Sequence, residues 1–443
     1  MIIEPLLFAS AGALMGMIGG LLPGINNTVI LVSLFFFLIK FDPLLICVFF
    51  ISCLTVGQYM GSVTATLLGA PGESTSIPAV KEGFTMHQQG RGRFALSVSA
   101  WGSLIGSLIA VSMALALWPV INQMFLLSYT EVRVSFFLIL ILVLIFAGQN
   151  KSWENMILVV LGLSLGSVGL SFDQTSSWGT FGNIYLAGGI PSITVIVFLF
   201  AMPMILSLWD RDPLKKLDIN QRRPLAMSES LGSLPYRSIV RGSVLGFIVG
   251  LIPGLTYVVS SKFAWVLEKF LQRKDYKIGD ARCLAAAETA NNAAVLGCLI
   301  PFLMFIIPIT VSEALVMDMI NLTSSPFSPG WLLKDYHYVT IISMFALANF
   351  IGFVLAYPLG QHSVKIILKW NKFAIPAVIM IMLLGVIQNA ISIGQLNYYI
   401  IVGVILFGIG WLLRKKDLIP FIFMFLLADQ INLLWSIVVQ KYL

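Results

Sequence analysis

The chain has 443 residues, 58% hydrophobic and only 11% charged, with a mean hydropathy of +0.94. That is too little charge to cover a water-facing surface, so a soluble globular domain is excluded. The net charge of +7 comes from Lys and Arg scattered between apolar runs. This pattern fits the cytoplasmic loops of a membrane protein, and without an aromatic-interleaved basic patch it excludes a nucleic-acid surface.

Apolar runs of roughly 18 or more residues recur along the whole length, each long enough to cross a bilayer as a helix. The chain opens with "MIIEPLLFAS", which has neither a basic n-region nor a small-residue cleavage site, so no removable signal peptide is expected. The first run is interrupted by "GMIGGLLPG" (Gly16 to Gly24), followed at once by Asn26, Asn27 and Thr28. A neutral connection, "KFDP", leads to a second run with a Pro near its end, "GQYMGSVTATLLGAPGES" (Gly57 to Ser74). The net-positive stretch Lys81 to Arg93 reads as a cytoplasmic loop. Spans near 95–118, 132–148, 154–170 and 185–208 follow. Cys47, Cys53, Cys283 and Cys298 lie in or beside apolar segments without metal-ligand spacing and read as packing residues.

A long polar stretch from Trp209 to Arg237, rich in Arg and Lys, then divides the chain nearly in half. It predicts a first transmembrane repeat over 1–208, a cytoplasmic linker over 209–237 and a second repeat over 238–443. The second half opens with "GFIVGLIPG" (Gly246 to Gly254), in which Gly246, Gly250, Leu251, Pro253 and Gly254 match Gly16, Gly20, Leu21, Pro23 and Gly24. After a basic connection (Lys262 to Arg282) comes a second broken span, "AETANNAAVLGCLIPFLMFIIPIT" (Ala287 to Thr310). The stretch from Glu313 and Asp318 to Asp335 is slightly acidic and is expected outside, followed by spans near 338–360, 374–390, 397–413 and 418–438.

Opposite charge at corresponding loops argues that the halves are inverted relative to each other. The expected fold is therefore an all-α polytopic membrane protein with two inverted-topology repeats. Each would hold a Pro-Gly helical hairpin, a second broken helix and about four further transmembrane helices. The central loop falls in the cytoplasm and both termini on the periplasmic side.

Proline removes a helix hydrogen bond and glycine lets the backbone turn, which in lipid exposes polar groups at several kcal/mol each unless they are satisfied. Such breaks suit a protein-lined, wet cavity, where half-helix N-termini hold an anion and freed carbonyls hold Na⁺. The candidate binding residues at the four breaks are Pro23, Gly24, Asn26 and Asn27; Gly72, Ser74 and Thr75; Gly254 and Thr256; and Asn291, Asn292 and Thr310. Singly, each motif reads as small polar residues joining helices; four in matching positions favour a binding site. Glu73 and Glu288 are the carboxylates nearest the expected midplane and are candidates to carry a coupling ion, with Asn27 and Asn292 as neutral partners. His87, His337 and His362 show no metal-ligand spacing, and no cluster of nucleophilic or titratable groups suggests catalysis or a metal centre.

At these residues the sequence resembles a known family. "GQYMGSVTATLLGAPGESTS", "EGFTMHQQGRGRFAL" and "ETANNAAVLGCLIPFL" are similar to the large transmembrane subunit of the tripartite tricarboxylate transporter family, with the same order of blocks over nearly the whole chain. The resemblance implies a secondary transporter of the bacterial inner membrane. It would work with a small membrane subunit and a periplasmic substrate-binding protein, and import citrate-like or dicarboxylate substrates on a Na⁺ or H⁺ gradient. It places Pro23 to Asn27, Tyr59 to Ser62, Pro71 to Ser74 and Glu288 to Asn292 toward substrate. Two places depart from the family pattern: "IIPIT" (Ile306 to Thr310) replaces a Gly-flanked Pro, and bulky "LTYVVS" (Leu255 to Ser260) replaces small residues. Both narrow or reshape the expected pocket. The remaining spans are expected to act as scaffold, with a homodimer surface among them. The alternative to coupled transport is a channel-like or scaffolding membrane protein that keeps the fold.

Overall fold

The computed structural model describes residues 3–22, 26–70, 74–147, 149–170, 177–209, 231–252, 254–323, 330–333, 336–357 and 359–442. Helix α1 (Ile3–Leu21) stops short of the first Pro-Gly pair. Helix α2 (Asn27–Leu38) restarts beyond it, capped by Asn26, whose Oδ1 accepts from the Val29 N–H at 3.0 Å. Asp42 caps α3 (Pro43–Leu68) through the Leu44 N–H at 2.9 Å, with Pro43 in the first turn, where its missing N–H costs nothing. The left-handed Gly69 (φ +66°) ends α3.

Helix α1 packs along α3 backbone to backbone. Gly12, Gly16 and Gly20 lie so close to the carbonyl oxygens of Phe49, Cys53 and Gly57 that any Cβ there would clash. Small residues one turn apart allow this approach in a membrane, where no hydrophobic effect drives helices together.

The stretch Lys81–Arg93, expected as a loop, instead opens with helical turns (Ile77–Ala79, Val80–Phe84 and Thr85–Gln88) that bury Glu82. Residues Gly92–Phe146, here α4, are then helical over 55 positions, with Pro119 inside. Straight, it would measure about 80 Å, more than twice the thickness of a bilayer core. It does not run straight. Gly106 meets Thr289, Trp118 stacks on Tyr338, Phe136 stacks on Phe305, and Leu140 and Val143 return to Gly254. The expected spans 95–118 and 132–148 are thus two legs of one helical path that doubles back beyond Pro119. Helix α5 (Ser152–Gly166) follows. Next come a two-residue strand pair (Gly169–Leu170 with Ser177–Trp178) and a continuous helical rod ending in α6 (Met202–Trp209).

Most of the expected linker, residues 210–230, lies outside the described residues. The second half repeats the parts of the first. Helix α7 (Tyr236–Gly250) ends before the third break, and α8 (Tyr257–Leu271) begins after it. Asp280 caps α9 (Ala281–Phe305) through the Arg282 N–H at 2.7 Å. Gly242, Gly246 and Gly250 press on the backbone of Ala286, Ala290 and Ala294 just as the first glycine ladder presses on α3. Ile306, at φ +57°, ends α9 in the left-handed region, as Gly69 ends α3. A β-branched residue holds that conformation only at a cost in strain.

The expected external stretch from Glu313 is a second correction. It forms the buried helix α10 (Val311–Asn321). Its "TVSE" start is a capping box, with Thr310 Oγ1 accepting from Glu313 N at 3.2 Å and Glu313 Oε2 accepting from Thr310 N at 3.1 Å. Helices α11 (His337–Ala356), α12 (Gly360–Ser392), α13 (Leu396–Leu413) and α14 (Ile419–Tyr442) complete the chain. Among the described residues, seven helices are long and apolar enough to cross a membrane, and the chain is an all-helical multi-pass membrane protein apart from the short strand pair.

The halves also meet where Glu82 faces α8 and the loop that follows it. Glu82 Oε1 accepts from Trp265 Nε1 at 2.9 Å and Tyr276 OH at 2.8 Å, and Oε2 from the backbone N–H groups of Gly279 and Asp280 at 2.8 and 3.0 Å. Lys81 and Lys269 lie over the Trp265 ring, 4.7 and 5.2 Å from its centroid. Burial, together with the bond to Glu82, holds the Tyr276 hydroxyl protonated well above the usual phenol range.

The glycine ladders make a direct prediction. Gly246→Val forces α7 off α9 and lowers thermal stability in detergent by about 1–3 kcal/mol. Gly408→Ala, whose Cβ meets nothing within 4 Å, leaves stability unchanged or raises it.

Candidate functional site

The apolar faces of α3 and α9 give way to polar residues where the two helices cross. On α3, Thr55, Gln58, Tyr59, Ser62 and Thr66 recur at helical spacing and are all buried. On α9, Glu288, Asn291 and Asn292 are buried opposite them. Ser62 Oγ donates to Glu288 Oε2 at 2.5 Å, which joins the two halves. Ser62 Oγ also lies 3.4 Å from Ser76 Oγ, on the segment that follows the second break.

Helix α4 adds a serine on every turn. Ser99 faces the Glu288 carboxyl group, Ser103 Oγ donates to the Glu288 carbonyl at 3.5 Å, and Ser107 Oγ donates to Asn349 Oδ1 at 2.5 Å. Asn349, from α11, is a node. Its Oδ1 receives Ser107, Tyr59 OH at 3.3 Å and Asn292 Nδ2 at 3.4 Å, while its own Nδ2 donates to the Phe345 carbonyl at 2.9 Å. An amide oxygen has two lone pairs, so three donors over-subscribe it. Asn292, the longest of the three, is the donor freest to turn to another acceptor.

Several buried polar atoms around this crossing have no hydrogen-bond partner: both amide atoms of Gln58 and of Asn291, the hydroxyls of Thr55, Thr66 and Thr75, and Glu288 Oε1. Each such orphan costs about 1–3 kcal/mol, and folded proteins leave few of them without a reason. Neutral amide and hydroxyl donors clustered in this way can hold a carboxylate and release it again.

The other residues expected at the site are placed differently. Asn26 caps α2. Asn27 lies against α3, its Nδ2 donating to the Leu54 carbonyl at 3.4 Å, in room left by the missing side chain of Gly57. Thr28 Oγ1 and Ser312 Oγ, 2.7 Å apart, join the N-terminal ends of α2 and α10. Thr310 is engaged as the cap of α10. Gly254 packs on Leu140 and Val143, and the Thr256 carbonyl accepts from Ser260 Oγ at 3.2 Å within α8. Thr75 is buried, its carbonyl accepting from Ser261 Oγ at 3.1 Å. Pro23, Gly24, Gly72 and Glu73 lie outside the described residues, as does the side chain of Ser74. Gln58, Ser99, Ser103, Ser107 and Asn349 are additions that the sequence reading missed. The four-residue spacing of Ser99, Ser103 and Ser107 was the one signal that could have found some of them.

Residues 6–425 match the model of the tripartite tricarboxylate transporter TctA family. The chain belongs to that family. A relative, described as an uncharacterized 52.8 kDa protein in the TAR-I ttuC′ 3′ region of Agrobacterium vitis, is 26% identical over 377 residues. The match covers 84% of this chain and 75% of that protein. No solved structure matches the chain. Membership in the TctA family makes it the large subunit of a tripartite tricarboxylate transporter.

Removing the node separates its two roles. Asn349→Asp, which keeps the acceptor oxygen, retains most transport, whereas Asn349→Leu leaves Tyr59, Ser107 and Asn292 without their shared partner. The expected outcome for the leucine variant is at least a tenfold rise in the half-saturating substrate concentration, consistent with an upset of about 1.4 kcal/mol or more, measured as initial uptake into proteoliposomes.

Proposed function

We propose that the chain imports small tri- or dicarboxylates by alternating access, driven by a Na⁺ or H⁺ gradient. It would act as the large subunit beside a small membrane subunit and a periplasmic substrate-binding protein in the bacterial inner membrane. The observation that carries this reading is the buried seam between α3 and α9. There, orphaned amides of Gln58 and Asn291, and Asn292, the most weakly held donor on the over-subscribed Asn349 oxygen, offer neutral donors on the helices that carry Ser62 and Glu288. Fixed cations would hold a polyanion too tightly to release it; amides and hydroxyls bind it with bonds worth about 0.5–1.5 kcal/mol net each.

The paired glycine ladders and the left-handed ends of α3 and α9 support two repeats built to one plan. The basic connection Lys262 to Arg282 against the neutral KFDP of the first half supports their inversion, with the linker cytoplasmic and both termini periplasmic. Access to the seam then alternates as one pair of helices rocks against the other.

Uptake of radiolabelled citrate and a panel of dicarboxylates tests the reading, using proteoliposomes that hold the chain and its partner subunits under inward Na⁺ or H⁺ gradients. Gradient-driven uptake that falls by tenfold or more in an Asn291→Ala, Asn292→Ala double variant is the expected result. Correctly inserted protein that moves no carboxylate under either gradient overturns it.

A further inference from the structure

Helix α14 emerges from the body of the protein halfway along its length. Its residues 420–425, 427 and 428 are buried, but from Asp429 onward one face is open. Asp429, Asn432, Trp435, Ser436 and Val439 are all exposed there, and their helical spacing puts them on one side. Three of these five are polar. Asp429 is also the middle residue of the apolar span Ile419–Val439. Counted from Ile419 it lies about 15 Å along the helix, half the depth of a hydrocarbon core about 30 Å thick.

Lipid offers no partner to a carboxylate, an amide or a hydroxyl at that depth. The chain supplies none to Asp429: among the described residues its side chain makes no hydrogen bond or ion pair, and Arg133, on α4, donates to Gln430 Oε1 at 3.0 Å. What the stripe leaves open is mainly acceptors. Asn432 Nδ2 donates to Ser167 Oγ at 2.9 Å, a hydroxyl whose own proton goes to the Leu163 carbonyl at 2.8 Å. That bond fixes the amide's orientation and turns Oδ1 outward without a donor. Ser436 Oγ donates to the Leu433 carbonyl at 2.8 Å and keeps its lone pairs. Asp318 on α10, which accepts from Ser192 Oγ at 2.5 Å, adds a second negative charge close to Asp429.

We propose that this face of α14 seats a membrane-spanning helix of another subunit, one that presents a Lys or Arg side chain to Asp429 at mid-depth. The occupant is the small membrane subunit of the transport reading, on which this inference rests. Charge decides between that partner and a second copy of the chain. A two-fold interface centred on the stripe meets itself, which sets Asp429 against Asp429 and acceptor against acceptor at low dielectric. A different helix brings the donors and the positive charge that the stripe lacks, and polar contacts of this kind hold helices together in lipid.

The test puts the photo-crosslinker p-benzoylphenylalanine in place of Trp435, 65% exposed on the same face, or of Val404, 67% exposed on α13. The full chain is co-expressed with its small and periplasmic partner subunits and irradiated in intact membranes. The expected result is a crosslink to the small subunit from position 435 and none from position 404. Asp429→Leu lowers the amount of small subunit that co-purifies by about tenfold or more, and Asp429→Asn, which keeps an acceptor, lowers it less. Thermal unfolding of the Asp429→Leu chain is unchanged, because the carboxylate it loses has no partner within the chain. A crosslink from position 435 to a second copy, equal crosslinking from both positions, or an Asp429→Leu chain that retains its small subunit in full overturns the inference. Carboxylate uptake by a complex whose small subunit crosslinks elsewhere overturns this inference and leaves the transport reading intact. A small subunit seated on α14 of a chain that moves no carboxylate overturns the transport reading and leaves the interface standing.

Discussion

Helices in a bilayer gain nothing from hiding apolar surface from one another, so their packing depends on how closely their backbones can approach. Here that constraint is met by two rows of glycines. Gly12, Gly16 and Gly20 seat α1 on α3, and Gly242, Gly246 and Gly250 seat α7 on α9. Everything at the centre depends on these contacts. They fix the two helices that carry the polar residues. The caps do the rest: Asn26 closes the start of α2, and Thr310 and Glu313 close the start of α10.

The crossing of α3 and α9 then joins the halves through side chains that an apolar core would not tolerate. Ser62 on one half meets Glu288 on the other, and Asn349, from a helix that carries neither, gathers donors from α3, α4 and α9. Buried polar groups are stabilising only when each finds a partner. At this crossing some do and others do not, Glu288 Oε1 among them. Such a pattern fits a ligand site better than a structural joint, and it agrees with a chain of the TctA family.

The sequence revealed the architecture more clearly than the site. Prolines inside apolar runs, three of them in Pro-Gly pairs, have few structural alternatives, so the helix ends around the breaks could be read directly. The two legs of α4 were also legible, although the expected loop between them is helical; apart from Pro119, little in residues 119–131 stops a helix. Glu313 was misread because an acidic residue after a hydrophobic run suggests an outside loop, while the "TVSE" capping box pointed to a helix start. Asn349 and Gln58 were out of reach for a different reason. Their partners lie on other helices far along the chain, and only the crossing geometry shows what each one faces.

The clasp at Glu82 has a mechanical consequence. Four donors, two from side chains and two from the backbone, converge on one carboxylate from α8 and the loop that follows it in the other half. Bonds that share an acceptor cannot be released one by one without leaving a buried charge progressively less solvated. Any motion that parts these segments therefore meets a threshold and not a gradual slope, and the separation behaves as a snap between two settings.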